Sequence, residues 1–168
     1  MCYDLEMCCW KEHKEVGEII EIGAVIVDLK TKKIGKKQSI IVKPDGDKVS
    51  EFCTELTGIT QRMVDRQGVK LNEAIRRLTK NISMKNNPWF AWGRDIDTLV
   101  REFGEKRLPI TPSNFHDASI FFKMSHGANR NLGMVEVCSM YDVETIEPAH
   151  RALPDAETLA KLMLKSFG

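Results

Sequence analysis

No stretch of this 168-residue chain is apolar enough to cross a bilayer, which takes about 20 apolar residues in a row. The opening decamer MCYDLEMCCW has neither the basic segment nor the apolar run of a secretory leader. Paired cysteines are missing as well. Cys2, Cys8, Cys9, Cys53 and Cys138 form an odd set with two of them adjacent, unlike a disulfide framework. There is no C-x-x-C pair, and His13 alone lies near the N-terminal cysteines, so reduced, mostly packed thiols are expected rather than structural zinc. An excess of one charge is also absent, since 25 Lys and Arg stand against 24 Asp and Glu, a net charge of +1. A protein that coats long phosphate tracks is usually more basic, whereas one that grips only a strand end need not be. Repeats, low-complexity tracts and Pro/Gly/Ser-rich linkers do not occur. These absences lead to an expectation of one cytoplasmic domain over residues 1–168, with no membrane partner and enough length to bury a core.

The chain opens with a short strand in MCYDLEM. Residues 18–29, EIIEIGAVIVDL, form a run rich in Ile and Val that reads as a second strand. KTKKIGK reads as a turn and KQSIIVKP as the returning strand, ended by Pro44. The period then changes. TELTGITQRMVDRQG holds one or two short helices broken at Gly58, with Thr60 as an N-cap. LNEAIRRLTKNISM places Leu71, Ile75, Leu78 and Ile82 on one helical stripe. PWFAWG is a short buried strand, followed by a helix in DIDTLVREFGEK with Ile96, Leu99, Val100 and Phe103 inward. NFHDASIFFKM suggests a further strand running into a helix, and LGMVEVCSMYD and DAETLAKLMLKSF are amphipathic helices. A three-strand meander followed by alternating helices and short strands predicts an α/β domain with a mixed central sheet flanked by helices. Ligands collect at the strand ends of such sheets.

Carboxylates carry the chemical signal. Asp4 and Glu6 are two apart, so on a strand they share a face about 6.5–7 Å from each other. Like charges at that spacing want a cation, or else solvent on an edge strand. Asp95 stands at a strand-to-helix junction, where an acid can equally be an N-cap; Asp97 is close by. Near the C-terminus, HRALPDAETLAKLM starts a helix with Pro154 and with Asp155 and Glu157 in its first turn, as missing N–H partners and the macrodipole favour. His150, on the approach loop, has no structural reason to be an imidazole. A loop histidine beside a helix-borne acid is how a mobile base is held next to a fixed metal ligand. His116 and His126 lack such company.

In this order, D-x-E on the first strand, an Asp at a middle junction and H-x-x-x-x-D at the last helix, the chain resembles the DEDDh 3′–5′ exonucleases, a branch of the ribonuclease-H-like fold. The likeness spans nearly the whole sequence. YDLEMCCW is similar to the family's first motif and HRALPDA to its last, while FCTELTGIT (residues 52–60) looks like the segment that cradles the 3′-terminal nucleotide. That wording is most similar to the branch of the histone-mRNA 3′-end, RNA-interference-regulating and sporulation-inhibitor-like exonucleases. One departure concerns the middle motif, often W-G-x-x-D in that branch, whose last position is Ile96 here. The more general form, an Asp followed by apolar residues, fits DIDTL with Asp95 at its head and Asp97 as the alternate.

The resemblance implies a ribonuclease-H-like exonuclease that binds two Mg²⁺ or Mn²⁺ ions through Asp4, Glu6, Asp95 and Asp155. Hard oxygen ligands suit those ions, and a two-ion site suits in-line attack of water on a phosphodiester. Asp4 would bridge the ions, and the imidazole of His150 would take the proton of the water. Leu56 would lean on the terminal base, Thr57 or its backbone would hold the 3′-OH, and Gly58 would let the backbone approach the sugar. Trp92 and Trp10 either stack on bases or pack inside. The lysines of KTKKIGKK, Lys30 to Lys37, either meet phosphates or form a solvated hairpin tip. The expected substrate is a single-stranded RNA or DNA 3′ end, RNA favoured, releasing 5′-mononucleotides. Any long-range specificity would come from a protein partner. A polymerase-associated proofreader and a non-catalytic nucleic-acid-binding adaptor are the competing readings.

Overall fold

The computed structural model describes residues 1–12, 15–82, 87–106 and 114–167. His13 and the expected C-terminal end of the LNEAIRRLTKNISM helix lie outside them. Strands β1 (Cys2–Met7), β2 (Ile19–Asp28) and β3 (Lys33–Ile41) form an antiparallel meander. Two short strands, β4 (Trp89–Ala91) and β5 (Phe115–Asp117), join in parallel on the far side of β1. The order β3-β2-β1-β4-β5 puts the first strand of the chain in the middle of the sheet. The fold class is the expected one, a mixed sheet covered by helices on both faces.

Alternation along β1 divides its side chains. Tyr3 and Leu5 join the core beneath α3 (Leu71–Ile82) and α4 (Asp95–Glu105). Cys2, Asp4 and Glu6 therefore face the other side. There Cys2 and Val25 pack with α5 (Ala118–Ser125), α6 (Met134–Met140) and α7 (Ala152–Phe167). β2 is buried along most of its length, which explains its near-continuous apolar sequence.

A third, smaller cluster of Cys8, Ile20, Cys53, Ile59 and Val64 anchors α1 (Glu51–Thr57) and α2 (Gln61–Gln67) at the exit of β1. The Thr60 cap and the Gly58 break are those the sequence calls for, and Ser50 adds a third. Ser50 accepts the Cys53 N–H and Thr60 that of Met63, while Gly58 closes α1 at φ 71°, a left-handed conformation that favours glycine.

Three local expectations are corrected. The turn after β2 is tighter than KTKKIGK, because Asp28 accepts the N–H groups of Lys30 and Thr31 and lets β3 begin at Lys33. Val100 does not face inward but is half exposed. Glu102 is buried instead, accompanied by Arg101 and Lys106. Ile96 is only partly covered.

Candidate active site

Three acids from two distant segments meet above the middle of the sheet. One carboxylate oxygen each from Asp4, Glu6 and Asp155 lie within 4.8 Å of one another. Asp95, the first residue of α4, joins them from the β4 side: its Oδ2 accepts the Leu5 N–H at 3.1 Å, just where β4 has ended and left that donor of β1 unpaired. Asp97 does not join. It is exposed and pairs with Arg94 at 2.5 Å.

The charge cannot be held there unaided. Burial and the neighbouring carboxylates of Asp95, Glu6 and Asp155 push Asp4 well above its ordinary range. Burial, with Asp155 and Glu21 nearby, raises Glu6 to about 8. Asp95 rises to about 7, mainly through burial, with the Leu5 N–H pulling the other way. Burial also raises Asp155, partly offset by backbone N–H groups of His150 and Arg151 and by the His150 ring. Arg151 eases Glu6, but its guanidinium fork faces Glu21. Crowded, hard oxygen donors whose ionised forms are disfavoured fit divalent cations such as Mg²⁺ or Mn²⁺.

The start of α7 reaches this cluster because β2 makes room for it. Gly23 lies opposite Asp4, and a Cβ there would sit 2.1 Å from the Ala152 carbonyl carbon. Only a glycine lets the helix entrance settle so low on the sheet. Glu21, fully buried, receives Arg151 and the Ala152 N–H. His150, exposed and with φ 57°, precedes this anchor. Asp117 does a similar service for α4. Its Oδ1 accepts the Gly93 and Ser119 N–H groups at 2.8 Å and so fixes the turn that presents Asp95.

The rim of the site is α1, tied to the end of β1 by Cys53 Sγ donating to the Met7 carbonyl and Ser50 Oγ to that of Cys9. Leu56 is exposed on it, with Phe52 one turn earlier, also exposed and lying four residues away on the same side. Phe52 heads the FCTELTGIT segment, but nothing in the local sequence marks it as exposed. Thr57 is buried, and its hydroxyl donates to the Cys53 carbonyl and accepts from the Ile59 N–H. Trp92 is not a free platform. Its Nε1 donates to the Leu132 carbonyl and its ring stacks on Phe122 with centroids 5.4 Å apart. Trp10 packs, partly buried, on the Cys8–Cys53 cluster. Within the hairpin, Lys37 pairs with Glu157 at 2.9 Å and Lys30, Lys33 and Lys36 are exposed. All five thiols are free.

The sequence model of the RNase T exonucleases matches residues 1–163. The chain belongs to this exonuclease family. It is similar to the 3′–5′ exonuclease Snipper of Drosophila melanogaster, with 30% identity over 190 residues that cover 96% of this chain and 66% of the fly protein. It is also similar to human ERI1 exoribonuclease 2, at 38% identity over 96 residues covering 54% of this chain and 14% of that protein. The chain thus spans less than two thirds of the length of these relatives. Among solved structures, the nuclease domain of 3′hExo, a DEDDh family member bound to rAMP, superposes with a TM-score of 0.87 over 98% of this chain and 88% of that one, at 20% identity. A 3′-exonuclease recognising the histone mRNA stem-loop gives 0.89 over 99% of this chain and 62% of that one, also at 20% identity. These two likenesses establish the DEDDh exonuclease fold, as the sequence motifs led one to expect.

Proposed function

We propose that the chain is a metal-dependent 3′–5′ exonuclease that removes 5′-mononucleotides from single-stranded 3′ ends, with RNA preferred to DNA. The observation that carries this reading is the convergence of Asp4, Glu6 and Asp155 within 4.8 Å, with Asp95 alongside on the neighbouring N–H of β1. Asp4, Glu6, Asp95 and Asp155 would hold two Mg²⁺ or Mn²⁺ ions. When bound, the ions would offset the clustered charge, activate a water and steady the leaving 3′ oxygen. His150, exposed at the mouth of the cluster, takes the proton of the attacking water on its imidazole. The acids fix where the scissile phosphate sits, and His150 approaches from the loop.

Phe52 and Leu56 offer the terminal base an apolar, sequence-indifferent contact. The backbone of Thr57 and Gly58 meets the terminal sugar, so a free 3′ end is read by shape and not by base identity. RNA is favoured because FCTELTGIT resembles the RNA-end branch and because relatives include ERI1 exoribonuclease 2 and a 3′-exonuclease that recognises histone mRNA. Exonuclease X, whose structure holds duplex DNA, shares the fold at a TM-score of 0.68 over 97% of this chain and 87% of that one, so both sugars belong in the test. The test is a competition between matched RNA and DNA single strands with Mn²⁺, with products separated by chromatography. Faster loss of RNA and accumulation of 5′-mononucleotides support the proposal; DNA outcompeting RNA, or 3′-phosphate or oligonucleotide products, overturn it.

A further inference from the structure

Glu21 is a carboxylate that the proposed chemistry does not use. It lies directly across from Glu6 in the β1–β2 ladder, on the same face of the sheet, and is fully buried. By position it would be a fifth acid in the cluster. Its oxygens are taken, however. Oε1 accepts from Ser39 Oγ at 2.6 Å and from Arg151 Nη2 at 2.8 Å. Oε2 accepts from Arg151 Nε at 2.9 Å and from the Ala152 N–H at 3.1 Å. Four donors saturate a carboxylate. The upward push of burial is outweighed by the Arg151 fork and the Ser39 hydroxyl, so the group sits below its ordinary range. Glu21 is an anchor for the chain entering α7, not a ligand.

What it anchors gives the pair a purpose. Arg151 stands between His150 and Ala152, the first residue of α7. His150 is in the left-handed region at φ 57°, a conformation that a non-glycine residue keeps only where its surroundings over-determine it. Its side chain is exposed, so packing does not impose that conformation. A bidentate guanidinium–carboxylate pair is directional as well as strong, and a lysine cannot reproduce it. Here it fixes the residue immediately after the strained one.

We infer that Arg151 and Glu21 are positioning residues whose partly buried fork holds His150 in its left-handed conformation and so sets where the imidazole stands relative to Asp155. The inference deepens the exonuclease reading and rests on it. Ser39 completes the device from β3, and Gly23 gives it room.

The test is a mutant cycle in the full chain, using wild type, H150A, R151A, R151K, E21Q and H150A/R151A. Each is assayed for steady-state hydrolysis of a labelled single strand with Mn²⁺ and for the backbone ¹⁵N heteronuclear NOE at residue 150. A misplaced base costs on the order of 30- to 100-fold in kcat, so R151A is expected to lose about that much with KM within about twofold. R151K restores less than a tenth of the wild-type rate. In the H150A background the same R151A change costs less than about threefold, because the group it positions is gone. The NOE at residue 150 falls in R151A and E21Q while that at Leu159 in mid-α7 holds. Losses that multiply in the double variant, an unchanged NOE at residue 150, or a fully active R151K each overturn the clamp. If R151A does not fold, R151K and E21Q carry the same cycle. A wild-type chain that leaves every strand intact overturns the hydrolase reading and the catalytic purpose of the clamp with it. An active wild type with multiplying losses overturns the clamp alone.

Discussion

Replacing Glu6 by Gln should stabilise the metal-free protein at alkaline pH, and the size of the effect follows from the crowding of acids around it. Burial first, then Asp155 and Glu21, hold the Glu6 carboxyl at about 8 in the folded chain, against an ordinary value of 4.5. A group whose folded pKa is raised favours folding fully below its unfolded value, and that contribution disappears as pH climbs through the folded one. At about 1.4 kcal/mol per unit, Glu6 alone removes roughly 3 kcal/mol between pH 5.5 and 8. For a chain of this size that is roughly 6–12 °C in Tm. Opposing groups are common to both proteins and cancel between them: burial holds the Met1 amine below its ordinary value of 8.0, and Glu18, which burial pushes up but the Lys106 amine and three backbone N–H groups hold at about 2, keeps its full contribution above pH 4.5. Thermal unfolding of wild type and E6Q in EDTA across pH 5.5–8 reads the difference. Wild type should fall by more than E6Q by about that interval, and added Mn²⁺ should recover the loss in wild type only. A wild-type Tm that is flat or rises to pH 8, or an E6Q slope equal to that of wild type, refutes the argument.

Other consequences separate the parts of the site. D95N should abolish hydrolysis of a labelled strand, by at least about a hundredfold, whereas D97N loses only an exposed ion pair with Arg94 worth under about 1 kcal/mol and keeps activity within about twofold; the reverse ranking would move the middle motif to Asp97. F52A and L56A should raise KM more than they lower kcat, by roughly 5- to 100-fold if the terminal base leans on them, as steady-state kinetics on single strands would show, with unchanged KM contradicting the cradle. G23A forces a Cβ into the Ala152 backbone and should lower stability by at least about 1–3 kcal/mol in urea unfolding and depress hydrolysis, since the α7 entrance must lift; a variant with wild-type stability and rate would show that the close approach is dispensable.

Much of the site was legible because strand and helix periods are local. Two acids two apart on a strand must share a face, so Asp4 and Glu6 were readable from MCYDLEM once the strand was. Thr60 and Gly58 announced the α1–α2 junction through cap chemistry alone. The remainder depends on contacts between distant segments. Glu21 stood out only as an acid inside an apolar run, and nothing local pointed to Arg151, 130 residues further on. Gly23 looked like an interruption of a strand until α7 was seen to rest on it. On α4, apolarity favoured Val100 for the core, yet Glu102 took the place because Arg101 and Lys106 accompany it. Trp92 is platform or packing by its type alone; that its indole N–H goes to the Leu132 carbonyl depends on a contact between distant segments. Phe52 was within a recognised segment but carried no signal of exposure, which only the docking of α1 reveals.

The most direct measurement is a time course on 5′-labelled single-stranded RNA and DNA with Mn²⁺, with EDTA, and with Asp4→Ala in place of wild type. If the four acids cut from a 3′ end, the ladder shortens one nucleotide at a time from that end and vanishes with EDTA and with Asp4→Ala. Strands that stay intact under every metal while still binding the protein would contradict it and leave a nucleic-acid-binding module in place of a nuclease.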